Sequence, residues 1–459
     1  MDFGLSKIKH QLSNLLLLSG GHPRTLSKVL GQLSFWKQKF EEGLTKKQKK
    51  AYFKQTANAD DRSLFAFLES DLFRKDFATA VDAVCTSGMA DIRALGQNRK
   101  MQDRFTPSFY QDMVNPFGFP ATIVDALDHS TTLDNIEKGI CSFVPVENDP
   151  QEDGLSIIPF PVINSLAQNR LRSPLICLSK SIIGYSSLVD DELSPSGKRF
   201  EICIANALQF YFSNRVDITL RSICRAVGPS PRDSVFDLPL LTLPSSQMVD
   251  LEGIKVFPTA IKSDNQLPHL ECANPALLSQ LKPGVYLPSD ESNSGDLVVI
   301  LEVADSPKKV VIFFEMKDWT SLLKEGFPMI AHWRWSKQFL RSTGLVPLAK
   351  HPKQGDGYGT INHSNLQKKS YLGYLKDAGF EVGFVLFSSN RQRCVEDEGA
   401  FSGELTLIPS DTTKQDHPRQ LRSDEALMDL RHMKMWFPTV AYNVMAAHKL
   451  NQFLCPDAD

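Results

Sequence analysis

The sequence predicts an α/β protein of more than one domain, and three observations lead to that prediction. Two apolar runs, residues 295–303 and 308–317, are rich in β-branched and aromatic residues and flank the turn-forming segment Ala304 to Pro307. From residue 196 to 410, helical patterns alternate with short strand patterns. The length of 459 residues exceeds what one hydrophobic core usually organises. We therefore expect an N-terminal helical region followed by a domain with a central mixed sheet.

Composition limits the partners and the chemistry. Lys and Arg number 51 against 53 for Asp and Glu, so the net charge is −2 and gives no overall attraction to nucleic acid. Any binding of nucleic acid must rely on local basic patches. The eight cysteines show no Cys-x-x-Cys spacing, which indicates reduced thiols rather than a zinc knuckle or a disulfide framework. The N-terminus lacks the order of a signal peptide, and no apolar run approaches the roughly 18 residues that cross a bilayer. We expect no membrane partner.

Residues 1–105 show helical periodicity, broken by Gly20-Gly21-His22-Pro23-Arg24. An aromatic stripe over residues 62–100 is typical of a packed core rather than of a ligand site. The basic run Lys46-Lys47-Gln48-Lys49-Lys50, followed by Lys54, has two interpretations. It is either a solvated helix face or a nuclear import signal or phosphate patch.

Residues 106–195 have the outline of a winged helix and a linker. Short helices are predicted at Pro120–His129 and Thr132–Lys138, followed by a two-stranded ribbon over Ile140–Val146 and Leu155–Pro161. Winged helices often bind DNA, but the turn of this ribbon is acidic. The acidic turn favours a packing or scaffold role.

The third region, residues 196–410, is expected to hold the α/β domain. A helix is predicted over Arg199–Arg215, with an apolar face and with Glu201 at its flank, where an acid also suits the helix dipole. The hairpin of the two apolar runs follows, then a helix over Asn365–Lys376 and a strand over Val382–Phe387. Residues 411–459 are expected to form a C-terminal helical extension, with helix from Ser423 to Leu454.

The hairpin register predicts where its charges fall. If Val303 opposes Lys308, Asp296 opposes Glu315, and Lys317 shares their face. Like charges directly opposite cost about 0.2–1 kcal/mol in a sheet. Either a divalent cation binds the two carboxylates, since hard cations take carboxylate oxygens, or Lys317 simply neutralises a surface hairpin end.

Two further patterns could contact a nucleic acid strand. Trp333-Arg334-Trp335 with Lys337 interleaves aromatic rings with bases, although buried tryptophans with peripheral cations give the same pattern. Gln367 and Tyr371 lie four residues apart on the predicted helix, with Lys368 and Lys369 beside them.

Taken in order, these elements resemble the PD-(D/E)xK restriction-endonuclease-like fold. The order is a helix with Glu201, a strand with Asp296, a strand with Glu315-Met316-Lys317, a helix with the Gln367-x-x-x-Tyr371 pattern of RecB-type members, and a final strand. The resemblance implies metal-dependent phosphodiester hydrolysis. Asp296 and Glu315, with the Met316 carbonyl, would hold Mg²⁺ or Mn²⁺, and Glu201 would complete the metal site.

The remaining catalytic roles also come from this resemblance. Lys317 would orient the attacking water, while Gln367, Tyr371 and Lys368 would position the strand, with Lys369, Arg334 and Lys337 as further candidate contacts. The implied partner is nucleic acid, in the first place double-stranded DNA, contacted with little base specificity.

The N-terminal region extends the resemblance. Gly20 to Arg24 looks like the Gly-x-Pro segment that closes the nucleotide-binding domain of signal-transduction ATPases. The chain as a whole resembles the C-terminal portion of Crinkler effectors and retrotransposon hotspot proteins, in which a nuclease-like domain follows an ATPase. No Gly-x-x-x-x-Gly-Lys-Ser/Thr loop is present, so we expect no ATP hydrolysis. The resemblance implies nuclear localisation, in the nucleus of a host if the protein is a secreted effector. Otherwise we expect the protein in the cytoplasm.

Two departures from the nuclease pattern leave an alternative function open, although the sequence retains all the charged site positions, which favours catalysis. About ninety-five residues separate Glu201 from Asp296, which implies an insertion, and Ser294-Gly295 stands where the family has its proline. The alternative is a catalytically inactive module of the same fold that binds DNA or host nuclear proteins.

Overall fold

The computed structural model of the chain describes residues 142–145, 154–167, 174–186, 196–215, 218–229, 234–244, 249–250, 259–262, 268–271, 280–288, 294–317, 346–347, 360–361, 370–389 and 421–444, together with residues 41–47 and positions 35, 38, 333, 340 and 446. These residues belong to two compact units. The first unit comprises Met1–Asp191 and Phe437–Asp459, and the second comprises Glu192–Trp436.

The described residues of the first unit include a two-stranded ribbon and the two helices that follow it. Strands β1 (Ser142–Pro145) and β2 (Gly154–Ile157) pair antiparallel, as the ribbon pattern predicts. Helix α1 (Phe160–Ala167) begins within the segment predicted as the end of the second strand, and α2 (Pro174–Ser186) follows. Asn443 donates to the Ile158 carbonyl, and the Thr439 hydroxyl accepts from the Ile158 N–H. The predicted helices over 120–129 and 132–138 lie outside the described residues.

The second unit is an α/β fold with a mixed sheet, which confirms the predicted fold class at this level. The helices whose bounds are described are, in chain order, α3 (Ser196–Asn214), α4 (Tyr371–Asp377) and α5 (Leu430–Trp436). Its strands are β3 (Ala226–Val227), β4 (Val249–Asp250), β5 (Thr259–Lys262), β6 (Pro268–Glu271), β7 (Gly284–Leu287), β8 (Leu297–Glu302), β9 (Lys309–Lys317), β10 (Val346–Pro347), β11 (Thr360–Ile361), β12 (Phe380–Ser388) and β13 (Glu425–Asp429). Two 3-10 helices, Leu220–Ile223 and Val235–Asp237, flank β3.

Seven of these strands form one sheet, in the order β3-β13-β12-β9-β8-β7-β4. Strands β7, β8 and β9 form an antiparallel meander, and β12 and β13 then run parallel to β9. The connection from β9 to β12 contains α4, as a parallel pair requires a crossover. The carboxyl ends of β9, β12 and β13 therefore meet at one edge of the sheet, beside the start of β8. The pairs β5–β6 and β10–β11 are separate antiparallel ribbons.

Both faces of the sheet are covered, so the central strands are apolar throughout. One face packs into a core with α4, Trp333 and Leu340. On the other face the Phe200 ring of α3 meets Phe387 of β12 at 5.8 Å between centroids. Gln209 also ties α3 to β7, because its side-chain oxygen accepts the Val285 N–H at 3.1 Å. The predicted apolar face of α3 is confirmed, since Phe200, Ile204, Ala207, Leu208 and Tyr211 are all buried.

The prediction of helix from Ser423 is wrong over Glu425–Asp429, which forms β13. Ala426, Leu427 and Met428 favour helices, but here they pair with β12 on one side and β3 on the other. The sheet therefore continues beyond the expected domain boundary at residue 410. Helix begins at Leu430, and residues 438–444 are helical as expected.

The described residues also bear on the cysteines and on membrane-spanning segments. Among them Cys177, Cys203 and Cys224 are free thiols, and the last two are buried. Within the same part of the chain, no helix combines the length and apolar character that crossing a bilayer requires.

Candidate active site

The site is built at the end of the β8–β9 hairpin, whose register agrees with the sequence prediction. The Val303 N–H donates to the Lys308 carbonyl across the loop, and pairing continues from Glu302 opposite Lys309 to Leu297 opposite Phe314. Both strands are buried along almost their whole length. The charged groups at their end therefore border an apolar interior.

The regular ladder ends at Asp296. Its N–H donates to the Phe314 carbonyl at 2.9 Å, so the chain is offset by one residue from the predicted pairing with Glu315. The Asp296 carboxylate instead accepts the Met316 N–H at 2.7 Å. This bond fixes the Asp296 side chain against the Glu315-Met316-Lys317 segment, which is the proximity that the register argument predicted.

Gly295 makes this close approach possible. A Cβ atom at position 295 would lie 2.5 Å from the Phe314 carbonyl oxygen, a distance that real Cβ contacts essentially never show. Any residue with a Cβ, proline included, would meet the same oxygen. Glycine at this position thus has a local steric reason.

Lys317 lies between the two carboxylates. Its ammonium nitrogen is 2.7 Å from Glu315 Oε1 and 4.0 Å from Asp296 Oδ2. The Glu315 side chain is only 10% exposed, whereas those of Lys317 and Asp296 are 24% and 29% exposed. The two acids therefore share one cation, and the shared cation can be reached from solvent.

The electrostatics of Lys317 reflect these neighbours. Burial lowers the pKa of its ammonium, but the charges of Glu315 and Asp296, the hydrogen bond to Glu315 and the charge of Glu201 together raise that pKa above its ordinary value. Lys317 is thus held firmly in its charged form at neutral pH.

Glu201 joins the site from α3, in the first turns of the helix. Its carboxylate is close enough to stabilise the Lys317 charge, and Lys198, one turn earlier, lies 3.4 Å from it. The Phe200 contact with Phe387 holds this end of α3 against the sheet. The structure therefore brings together four predicted site residues: Glu201, Asp296, Glu315 and Lys317.

The predicted Gln367–Tyr371 pair is not formed on one continuous helix. Ser370 has an extended backbone and caps α4 by accepting the Gly373 N–H on its side chain, so the helix begins at Tyr371 rather than at Asn365. Tyr371 is 2% exposed and belongs to the apolar core beneath the sheet. Gln367, Lys368 and Lys369 lie outside the described residues.

The other predicted nucleic-acid contacts are described only in part. Trp333 is buried in the same core, which agrees with the interpretation of this pattern as packing. Arg334 and Lys337 lie outside the described residues, as does the Gly20 to Arg24 segment. In the basic run, Lys46 and Lys47 are exposed and helical.

Sequence reasoning missed three residues at this site. The sequence motifs assign no role to Gly295 or Lys198, although a glycine directly before a strand can signal a close backbone approach. Ser389 was not considered. It follows β12, and its N–H donates to the Lys317 carbonyl at 2.9 Å. The parallel pairing of β9 with β12, which brings it there, has no local sequence signal.

The donor set fits a hard divalent cation in its chemistry. Carboxylate oxygens are the ligands that Mg²⁺ and Mn²⁺ prefer, and Asp296 and Glu315 already converge on one positive charge. Within the described part of the chain, no group of three or more His, Cys, Asp or Glu residues is arranged to hold a metal ion. The two carboxylates would be the first ligands of such a site, with the Met316 carbonyl and Glu201, directly or through water, as the others.

Comparison of the chain with protein-family models, curated proteins and solved structures found no match.

Proposed function

We propose that the second unit is a metal-dependent nuclease that hydrolyses phosphodiester bonds of DNA. The single observation that carries this proposal is the placement of Lys317 between the carboxylates of Asp296 and Glu315, at the end of a buried hairpin. A lysine beside two acids is the composition that this chemistry needs, and it lies where α/β sheets commonly bind ligands, at the carboxyl ends of parallel strands.

The topology supports the resemblance to the PD-(D/E)xK fold. Helix α3, the meander β7–β8–β9, helix α4 and the parallel strand β12 follow one another in the order that the motifs predicted. Asp296 stands at the start of the second meander strand, and Glu315-Met316-Lys317 ends the third. Strands β3 to β6 lie between α3 and β7, which accounts for the long separation of Glu201 from Asp296.

Asp296 and Glu315 would hold Mg²⁺ or Mn²⁺ with the Met316 carbonyl, and Glu201 would complete the site directly or through water. A bound divalent ion would lower the pKa of the attacking water and neutralise charge on the phosphate. In the reaction a water oxygen forms a bond to phosphorus, one ester P–O bond breaks, the water loses a proton and the leaving oxygen gains one.

The residues of this chain position that reaction. Lys317, a compact cation on a flexible stem, orients the attacking water and stabilises negative charge on the phosphate oxygens. Its raised pKa suits this role, since it remains a cation that does not lose its proton at neutral pH. The Asp296 carboxylate is fixed by the Met316 N–H, so little reorganisation is needed on that side.

The proposed partner is double-stranded DNA, contacted mainly through phosphates and therefore with little base specificity. On the basis of the resemblance to Crinkler and retrotransposon hotspot proteins, we propose that the protein acts in a nucleus, that of a host if it is a secreted effector. Such a protein would act in virulence.

One observation favours the second candidate, an inactive module that binds DNA or host proteins. Lys317 already forms a close ion pair with Glu315, so the charges of the site are partly compensated within the chain. A module of this kind would bind nucleic acid without cutting it.

The deciding experiment is cleavage of supercoiled plasmid and linear DNA by the purified chain, with MgCl₂, with MnCl₂ and with EDTA. We expect nicking and linearisation that require the metal. Asp296→Asn, Glu315→Gln and Lys317→Met should each lower the rate by at least about a hundredfold, as loss of a principal charged group in a catalytic site typically does.

The chain offers a matched control at the opposite end of β9. Lys308, directly before β9, and Glu381 of β12 form an ion pair at 2.8 Å, and both side chains are exposed. Lys308→Met and Glu381→Gln should leave cleavage unchanged. DNA binding with no metal-dependent cleavage would refute the enzyme and leave the binding module.

A further inference from the structure

Lys198, in the first turn of α3, lies beside the acid that this helix contributes to the candidate site. Its ammonium nitrogen is 3.4 Å from Glu201 Oε2, one turn later in the helix. Glu201 is in turn close enough to Lys317 for its charge to raise the pKa of that lysine. A second cation therefore borders the site, next to the one that lies between Asp296 and Glu315.

The direction of α3 places Lys198 towards the outer side of the site. Near the start of the helix, the Phe200 ring contacts Phe387, which stands one residue before the end of β12. Further along the helix, Gln209 accepts the N–H of Val285, which lies opposite the middle of β8. The helix thus begins at the edge that carries the site and runs towards the middle of the sheet. Lys198 stands about 3 Å further out along the helix axis than Phe200, since each residue rises about 1.5 Å.

The ammonium of Lys198 can be reached by a strand of DNA bound at the site. Its side chain is 28% exposed, against 17% for Glu201 and 24% for Lys317. Helix α3 packs on the face of the sheet that carries Phe387, whereas Lys317 shares the other face with Phe313. The charge of Glu201 nevertheless acts on Lys317, because β9 ends at that lysine. The charged groups of helix and strands therefore meet around the edge of the sheet.

A role in stabilising α3 does not explain Lys198. A cation in the first turn of a helix opposes the helix dipole. An exposed ion pair one turn apart on a helix contributes little to stability. Glu201 also has a second cation nearby in Lys317. These points favour a role for Lys198 towards an anion that the site binds.

The charges of the site show what Lys198 adds for such an anion. Glu201, Asp296 and Glu315 carry three negative charges, against the two positive charges of Lys198 and Lys317. With one divalent cation bound, the site would carry a net charge of about +1, and without Lys198 that net charge would be zero. Lys198 therefore supplies the surplus positive charge that attracts a phosphate.

We propose that the Lys198 ammonium binds a phosphate of the cleaved DNA strand, next to the phosphate that lies at Lys317, which makes Lys198 a further substrate-binding residue. This inference rests on the proposed nuclease function. A lysine acts on phosphate as a compact charge on a flexible stem, so it fixes the position of the strand without reading bases. No bond to this neighbouring phosphate changes during the reaction, so the contact is equal before and in the transition state.

The test measures how the DNA binding of full-length wild type and Lys198→Gln depends on salt. Fluorescence anisotropy with two duplexes of unrelated sequence, over about 50 to 200 mM KCl at a fixed low concentration of CaCl₂, gives the slope of log Kd against log[KCl]. We expect Lys198→Gln to weaken the binding of both duplexes alike and to lower the slope by about 0.9, the value for one phosphate contact. Lys198→Arg should keep the wild-type slope.

Two control variants separate a contact with DNA from an effect on Glu201. Lys308→Gln removes an exposed lysine before the opposite end of β9, where it pairs with Glu381, and it should leave slope and cleavage unchanged. Glu201→Gln removes the carboxylate that Lys198 neutralises. We expect Lys198→Gln combined with Glu201→Gln to keep the lowered slope, because the lost contact is with DNA. Urea unfolding checks that every variant is folded.

Two results would overturn the proposal. A wild-type slope in Lys198→Gln would refute the phosphate contact and leave the nuclease function standing, since plasmid cleavage tests that function separately. A slope in the double variant equal to that of Glu201→Gln alone would make Lys198 only a partner of that acid. A lowered slope in a wild-type chain that does not cleave DNA would support the contact and refute the nuclease function. In a chain that cleaves, Lys198→Gln should raise KM with little change in kcat.

Discussion

At the scale of single residues, the ammonium of Lys317 stabilises the carboxylates of the candidate site. Glu315 is almost fully buried and depends on this cation, since an unpaired buried carboxylate costs far more than an exposed one. The same ammonium reaches Asp296, so one lysine stabilises two acids at the edge of an apolar sheet. This compensation holds the two carboxylates close together by contacts within the chain.

Replacing Lys317 should therefore destabilise the protein in the absence of metal. We expect Lys317→Met to lower the free energy of unfolding by about 1–3 kcal/mol at pH 7, because it leaves Glu315 without its cation. Urea unfolding measures the difference. Lys308→Met removes an exposed lysine that directly precedes the same strand, and it should change stability by less than about 0.5 kcal/mol. Equal effects of the two substitutions would contradict the account.

Gly295 is the second decisive residue, because its hydrogen leaves room for the Phe314 carbonyl. Gly295→Ala should cost about 1–3 kcal/mol by forcing the backbone apart, and it should move Asp296 away from Lys317. Gly184→Ala is the control, since a Cβ there meets nothing within 4 Å in α2. This control should gain up to about 1 kcal/mol. A tolerated Gly295→Ala with full DNA cleavage would refute the steric argument.

At the scale of elements, the corner between β13 and α5 shows how the sheet edge is closed. Asp429 ends β13 and accepts the His432 N–H at 2.7 Å, which caps α5. Arg225, just before β3, binds the same carboxylate at 2.6 Å. One acid thus joins two strands and a helix.

This corner should make stability depend on pH. Burial and the charge of Arg225 lower the pKa of His432, whereas the charge of Asp429 and a hydrogen bond to the Ser222 backbone raise it. Burial is the largest of these effects, and the pKa of His432 lies below the ordinary value of about 6.5. The unfolded chain therefore binds a proton more readily, and stability is lost as pH falls from 6.5 through the folded-state pKa. His432→Gln should remove this part of the loss between pH 7 and pH 5 in urea unfolding. An unchanged pH dependence would show that other groups dominate.

The elements also show how far sequence reasoning reaches. The register of the hairpin was predictable from Glu302 to Leu297, because two apolar runs and one short turn leave a single register that buries both strands. The offset at Asp296, which donates its N–H to the Phe314 carbonyl, was not predicted. Helix α3 was predictable from its apolar face. The strand β13 was not, because residues with helix propensity are held by neighbours distant in sequence. The start of α4 was not predictable either. The predicted helix began at Asn365 and included Gln367, whereas Ser370 caps α4 and the helix begins at Tyr371.

At the scale of the whole molecule, the unit Glu192–Trp436 should be the smallest part that retains the site. We expect a fragment of residues 192–436 to unfold cooperatively and to run as a compact species in size-exclusion chromatography. A fragment of residues 192–410 lacks β13 and leaves an edge of β12 unpaired over five residue pairs, so it should aggregate. A soluble, cooperatively folded 192–410 fragment would show that the sheet does not need β13.

The central claim for the molecule is that Asp296 and Glu315 bind one divalent cation. Titration of the full chain with Mn²⁺, followed by electron paramagnetic resonance of the free ion, measures this directly. We expect one ion per chain, lost in Asp296→Asn and in Glu315→Gln but retained in Glu381→Gln. Binding that survives both site substitutions, or no binding by the wild-type chain, would contradict the account.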